Sequence, residues 1–352
     1  MRDISNNFYN LDIYGKSSKR PYNPKGKMFG YHVLGFGGFT SGGGFLPTQR
    51  GIFAHGYDYT LASDSSSYYG VSNLVNSSGV VSSDVSAVMS VVAQGAAAGF
   101  GGDKGIFAFG YDGGAQAVTS RSNLVNNVGT VASDVTGVGT ARLELGAATF
   151  GGDKAIFALG TAASGQTGIS NLVSNIGVVA SDTSAVSTAR AAPQETELGE
   201  VGVGGIAAFF SGYSLAAGGP VTKKNIVSSV GIVASDASTS NFTAKSQGAG
   251  CRFGSIGQGI VGYGDNGGKS NILSATGSAS SEVNQVANGG IGKAACSYGG
   301  DKGIFCYGTG SGHDRANARN LVSNSGVIAA SASGAGTVRS QVAACDYSTI
   351  AN

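Results

Sequence analysis

The chain has 352 residues, of which 61 are glycine and 5 proline; 41% are hydrophobic, 12% are charged, and 22 bases against 20 acids leave a formal charge of +2. Glycine stands at more than twice its usual share of roughly 7% and charge at about half its usual share, which excludes a charged disordered polymer and, without a Gly-X-Y period, collagen. A charge so close to zero offers no field for nucleic acid or an anionic lipid surface, and no apolar run reaches the roughly 20 residues of a membrane span.

Residues 1–46 come first and differ from everything after them. Tyr9, Tyr14 and Tyr22 interleave with Lys16, Lys19 and Arg20, too little apolar material for a core, so the expectation is an extended N-terminal arm that docks on a partner. The stretch from Met1 to Tyr31 lacks the continuous apolar segment of an export signal.

Residues 47–352 repeat. An Asn followed by two aliphatic residues recurs at Asn73, Asn123, Asn171, Asn225, Asn271 and Asn320, at intervals of 46 to 54 residues. Each is followed six positions later by Gly79, Gly129, Gly177, Gly231, Gly277 or Gly326, and the first five of these, five positions further on, by Asp84, Asp134, Asp182, Asp236 or Glu282. Upstream, a small residue opens each marker: Gly51-Ile52-Phe53, Gly105-Ile106-Phe107, Ala155-Ile156-Phe157, Gly205-Ile206, Gly259-Ile260 and Gly303-Ile304-Phe305.

The third unit shows how each copy reads. Leu143 to Phe150 and Ala155 to Gly160 flank a Gly-Asp-Lys turn as a hairpin, and Ile169 to Asn175 and Val178 to Asp182 add two shorter runs around Gly177. Four strands in about 49 residues cannot bury both their faces alone, so the copies must pack on one another. The sixth copy is as apolar as the second, where an open stack would carry polar caps, and a ring is therefore expected: an all-β, six-bladed β-propeller. The run from Arg339 to Tyr347 repeats an opening strand with no unit after it; it is expected to complete the first blade beside Ile52.

The order Gly139-Thr140-Ala141-Arg142, small-residue strand, Gly-Asp-Lys turn, Ile-Phe strand ending in Gly160 and later Asn-Leu-Val strand resembles kelch repeats, from Gly51 to the C-terminus. It departs from them in having no Trp and in having mostly one glycine where a pair is usual. The resemblance implies a kelch-like propeller and says little of activity. The wording Asn-Leu-Val with Gly-Val-Val-Ala-Ser-Asp and Gly-Thr-Ala-Arg resembles repeat-bearing virion proteins of tailed bacteriophages.

Variation concentrates in one connection, between the Ile-Phe strand and the Asn strand, and equivalent loops of a propeller share one face. The expected binding residues there are Tyr57, Tyr59, Tyr68, Tyr69, Tyr111, Arg121, Lys223, Lys224, His313, Arg315 and Arg319, aromatic and basic anchors for a protein or a glycan. The repeated acids, and Asp103, Asp153 and Asp301 of the Gly-Asp-Lys turns, are read as caps on backbone amides rather than cation ligands. His55 is read as a wall residue, and Cys251, Cys296, Cys306 and Cys345 as small buried side chains.

With three histidines and no nucleophile elbow, phosphate loop or zinc motif, no catalytic residue, metal or cofactor is expected. By the second resemblance, the expected function is that of a virion structural or recognition protein, of the tail-fibre or capsid-decoration type. Its arm would dock to other virion proteins while the loop face meets host glycan, host protein or a neighbouring subunit. The alternatives are a free carbohydrate-binding propeller and a kelch-type intracellular adaptor.

Overall fold

The Gly-Ile-Phe strands are apolar almost without interruption, because both their faces are covered: in Lys154–Ala158 every residue after Lys154 is buried. The computed structural model describes residues 46–58, 67–86, 89–185, 187–199, 205–265, 267–284, 290–309 and 317–351. The chain divides into two units, Met1–Gly44 and Phe45–Asn352, and the described residues belong to the second. The expected arm lies outside them.

The described residues are all-β, with no helix among them. Each copy has a first strand (Ala343–Tyr347, Ala96–Phe100, Gly146–Phe150, Gln194–Leu198, Ala249–Phe253, Ala294–Tyr298) and a second (Arg50–Ala54, Lys104–Asp112, Lys154–Ala158, Ile206–Phe210, Gln258–Gly262, Lys302–Cys306). A third follows (Val71–Val75, Ala117–Val125, Ser170–Val173, Lys223–Val227, Lys269–Leu273, Arg319–Val322). Every second strand pairs antiparallel with the first and third of its copy. The expected fourth strand is reduced to a two-residue strand such as Val85–Ser86 or to a single bridge such as Ser170↔Thr183.

As expected, the C-terminal strand completes the first copy: Ala343–Tyr347 pairs with Arg50–Ala54, Cys345 opposite Ile52. One marker was misplaced by the sequence. Ala207 pairs with Val227 as Gly51 pairs with Val75, so Ala207-Ala208-Phe209, not Gly205-Ile206, is the fourth copy of Gly-Ile-Phe. The two-residue offset preserves the period of the strand, which is why alternation did not expose it.

No sheet closes on itself, but hydrogen bonds between the sheets run in two complete cycles. Before the first strands, Gln94 N–H donates to Gln341 O (3.2 Å), Glu144 to Gln94 (2.8 Å), Ala192 to Glu144 (2.6 Å), Gln247 to Ala192 (3.1 Å), Gly292 to Gln247 (3.0 Å) and Gln341 to Gly292 (2.8 Å). At the opposite strand ends Gly101 donates to Asp153 O, Gly151 to Gly205, Gly199 to Gly257, Gly254 to Asp301, Gly299 to Gln49 and Ser348 to Asp103, at 2.7 to 3.0 Å. The first strands follow the same order, each beside the next and the last beside the first. In the first copy the turn between strands is cut, and Gln49 and Ser348 stand at the cut ends.

Neighbouring sheets interlock through the repeated glycines. A β-carbon on Gly79 would strike the ring of Tyr298, on Gly129 that of Tyr347, on Gly177 that of Phe100, on Gly231 that of Phe150 and on Gly326 that of Phe253. These glycines also have φ between 77° and 88°, so the same residue serves the left-handed turn and the close approach.

Candidate functional site

A polar lock recurs in four of the copies. In the third, Asn171 Nδ2 donates to Ala180 O and Asp182 Oδ1, both at 2.9 Å, while Asp182 Oδ2 accepts the Thr140 hydroxyl at 2.6 Å and the carboxylate accepts its amide at 3.1 Å. Buried Arg142 donates to Leu159 O (2.9 Å) and Thr140 O (3.1 Å) and lies over the Phe109 ring. The same set recurs as Thr188, Arg190, Asn225 and Asp236 and as Thr337, Arg339, Asn73 and Asp84, and, with Asn271 donating to Asn241 O instead of the acid, as Thr243, Lys245, Asn271 and Glu282. The last set joins residues 253 apart in sequence.

The acids therefore accept amide hydrogens as expected, but across 39 to 48 residues of chain, and 253 for Asp84, rather than within their own turns. Burial alone would raise their pKa values; the bonds from Thr and Asn outweigh it and hold Asp84, Asp182 and Asp236 below the ordinary range. The turn acids differ from expectation too: Asp103, Asp153 and Asp301 pair with the adjacent Lys104, Lys154 and Lys302.

Several expected loop anchors belong to this framework. In the second copy Val92 stands where Arg142 would, and Arg121 replaces it, pairing with Asp112 and Asp134 and donating to Ser90 Oγ at 2.9 Å. Lys224 and Arg319 are equivalent and reach the next copy's turn, donating to Gly277 O (2.9 Å) and Gly79 O (3.2 Å). Lys223 is half-buried within its strand. His55 is a buried wall residue, edge-on to Phe107 at 5.4 Å, and burial pushes it down to about 4. Tyr59, His313 and Arg315 lie outside the described residues, as do Tyr9, Tyr14, Lys16, Lys19, Arg20 and Tyr22.

The remaining tyrosines do gather. Tyr57 and Tyr68 have ring centroids 4.9 Å apart, and Tyr68 stacks on Tyr111 at 5.8 Å, a row spanning the first and second copies. Tyr69 Oη reaches Asp58 Oδ2 at 3.5 Å. All four rings are half-buried. Gly113 is required beside them, since a β-carbon there would enter the Tyr68 ring. The row lies at the end of the fold where Gln94, Glu144, Gln247 and Gln341 form the first hydrogen-bonded cycle, as Tyr57 N–H donating to Ser340 O at 2.9 Å shows.

Sequence reasoning missed two layers of equivalent residues on the first strands. Ala97, Ala147, Glu195, Gly250, Ala295 and Ala344 are equivalent, and two residues on come Gly99, Thr149, Glu197, Arg252, Ser297 and Asp346. They line a cavity of ≈ 50 Å³, far below the roughly 300–1,000 Å³ of ligand pockets. Glu197 Oε2 is 3.7 Å from Arg252 Nε. Burial, opposed by Arg252, pushes Glu197 up to about 7, and burial raises Glu195 well above the carboxylate range. The signal was present as Gln194-Glu195-Thr196-Glu197, an acidic run where other copies have Ala and Gly.

Against known proteins, no family profile and no curated sequence matches this chain.

Proposed function

We propose that the six copies form a kelch-like, six-bladed β-propeller that acts as a non-catalytic recognition component of a virion, of the tail-fibre or capsid-decoration type. The two complete cycles of hydrogen bonds between six equivalent positions support the propeller. The observation that carries the recognition reading is the polarity of the fold. The described chain starts at Leu46, beside Phe100, Lys104 and Asp346 at one end of the axis, while the row of Tyr57, Tyr68 and Tyr111 stands at the other. An attachment by residues 1–46 would leave the tyrosines facing away from the particle. The repeat wording that resembles tailed-phage virion proteins supports the choice of assembly.

The test is peptide mass spectrometry on density-purified, nuclease-treated particles from the source sample. The chain is expected at a fixed ratio to the major capsid protein; its confinement to the soluble fraction overturns the virion reading. Replacing Tyr57, Tyr68 and Tyr111 together by Ala is expected to leave incorporation unchanged and to lower adsorption to host cells at least about tenfold.

A free carbohydrate-binding propeller is the second reading. It is favoured by the side chains of Gln94, Glu144, Gln247 and Gln341 around one axial mouth, since carboxamides and carboxylates suit sugar hydroxyls. Binding of purified chain to immobilised glycans, with none of it in particles, would select it.

A further inference from the structure

The first hydrogen-bonded cycle runs through six equivalent residues, Gln94, Glu144, Ala192, Gln247, Gly292 and Gln341, and all six have left-handed backbones, with φ between 48° and 64°. Glycine adopts that conformation freely. A β-carbon makes it sterically costly, and Gln and Glu lack the short side chain by which Asn or Asp eases it. Gly292 shows that the cycle needs no side chain, and Ala192 that it needs no polar one, yet the other four places carry a carboxamide or a carboxylate. Gln94 Nε2 donates to Glu144 Oε1 at 3.2 Å, while the carboxamides of Gln247 and Gln341 make no hydrogen bond to another described residue. Holding the fold together does not account for them.

The four side chains line one axial mouth of ≈ 80 Å³, with Leu145, Pro193 and Val342 as its apolar wall. A space of that size admits a single functional group rather than a whole ligand. Glu195 lines both this mouth and the smaller cavity beside Glu197 and Arg252. Neither Glu144 nor Glu195 has an ion-pair partner among the described residues, and burial raises both, opposed by no positive charge. Lys293, the one cation lining the mouth among the described residues, is engaged elsewhere: its Nζ donates to Tyr307 O at 3.2 Å and lies 4.7 Å from the centre of the Tyr263 ring. Acceptor oxygens and uncompensated carboxyl groups beside an apolar wall suit a cation that donates hydrogen bonds and carries an aliphatic stem. They do not suit calcium, which takes roughly six to eight oxygens, since no three His, Cys, Asp or Glu gather among the described residues.

We propose that this mouth binds a primary alkylammonium group, the chemistry of a lysine side chain or of a free diamine. The ammonium donates to the oxygens of Glu144, Glu195, Gln247 and Gln341, and the stem lies along Leu145, Pro193 and Val342. Its charge answers two carboxyl groups that burial otherwise leaves without a partner. The inference stands apart from the virion and glycan readings, because it rests on the groups of the mouth alone.

The test titrates the full chain with butylammonium chloride, and with 1-butanol as its uncharged match, at constant ionic strength and about pH 8, where the amine is protonated; saturation-transfer NMR reads binding. Butylammonium is expected to bind saturably and at least about tenfold more tightly than butanol, and Glu144→Gln to remove most of that difference. Gln247→Gly with Gln341→Gly is expected to keep or raise the urea midpoint, since glycine takes the left-handed backbone freely, and to weaken butylammonium at least about tenfold. This second variant carries the test if Glu144→Gln fails to fold. Competition by Nα-acetyl-lysine methylamide and by cadaverine separates the two sources, the stronger competitor naming the one preferred. Equal binding of butanol and butylammonium overturns the proposal, as does binding unchanged in both variants. Displacement of butylammonium by millimolar calcium chloride assigns the mouth to an inorganic cation and also overturns it.

Discussion

Cys296 and Gly51 share one site: the thiol of Cys296, on a first strand, fills the space that a β-carbon on Gly51, on the neighbouring copy's second strand, would take. Cys345 stands in the same relation to Gly105, and Cys251 to Gly303. Where the first strand carries Ala98 or Ala148 instead, the partner is Ala155 or Ala207, packed in the same core cluster. The combined volume at the contact is held nearly constant from copy to copy while its division between partners changes, as close packing demands.

Gly51→Ala is accordingly expected to destabilise the fold by about 1–3 kcal/mol through overpacking, and Cys296→Ala to recover most of that loss in the double variant. Urea unfolding of the four chains in the cycle measures it. Additive single effects would show that the two residues do not share a site.

The left-handed turn and the packing against an aromatic ring can be separated. Gly79 and Gly267 have nearly equal φ, 77° and 79°, but a β-carbon meets the Tyr298 ring at Gly79 and nothing within 4 Å at Gly267. Gly267→Ala is expected to cost about 1 kcal/mol, the backbone share alone, and Gly79→Ala about 1–3 kcal/mol more. Equal shifts in the urea midpoint would remove the packing account.

Stability should pass through a maximum in mildly acidic solution. Glu197, with a folded pKa of about 7, is harmed by ionisation, so stability rises as pH falls from above 7 towards the ordinary carboxylate value of about 4.3. Asp84, Asp134, Asp182 and Asp236 are held below their ordinary value, so their contribution is complete above about pH 4 and is lost as pH falls through the folded values. Urea midpoints from pH 3 to 9 test this, and Glu197→Gln is expected to flatten the alkaline limb while leaving the acid limb in place.

Burial pushes Cys306 up to about 11 and Cys251 up to about 12, and raises Cys296 and Cys345 well above the ordinary thiol value. Alkylation by iodoacetamide at pH 8 is expected to be negligible in the folded chain and complete in urea. Labelling of the folded chain within minutes would contradict the burial of these thiols.

Removing residues 336–352 deletes the strand that pairs with Arg50–Ala54 and the Thr337 and Arg339 bonds to Asp84 and Asn73. The truncated chain is expected to lose its single cooperative transition and to self-associate through the bared strand edge. Calorimetry and light scattering read both outcomes.

By itself the sequence determined the number of copies, the β-strand character of each, the turns at Gly79 and its equivalents, and the return of Ala343–Tyr347 to the first copy. These follow from alternation, turn chemistry and self-similarity, which act over a few residues or repeat at a fixed period. The tertiary structure decided that Asp84 answers to Thr337, that Gly51 makes room for Cys296, and that Arg121, Lys224 and Arg319 brace the framework instead of offering themselves at the loop face. It also decided that Glu195, Glu197 and Arg252 line one small cavity. Such relationships depend on which distant residues the tertiary fold brings together, and complementarity of volume, charge and hydrogen bonding between them leaves no local period to read.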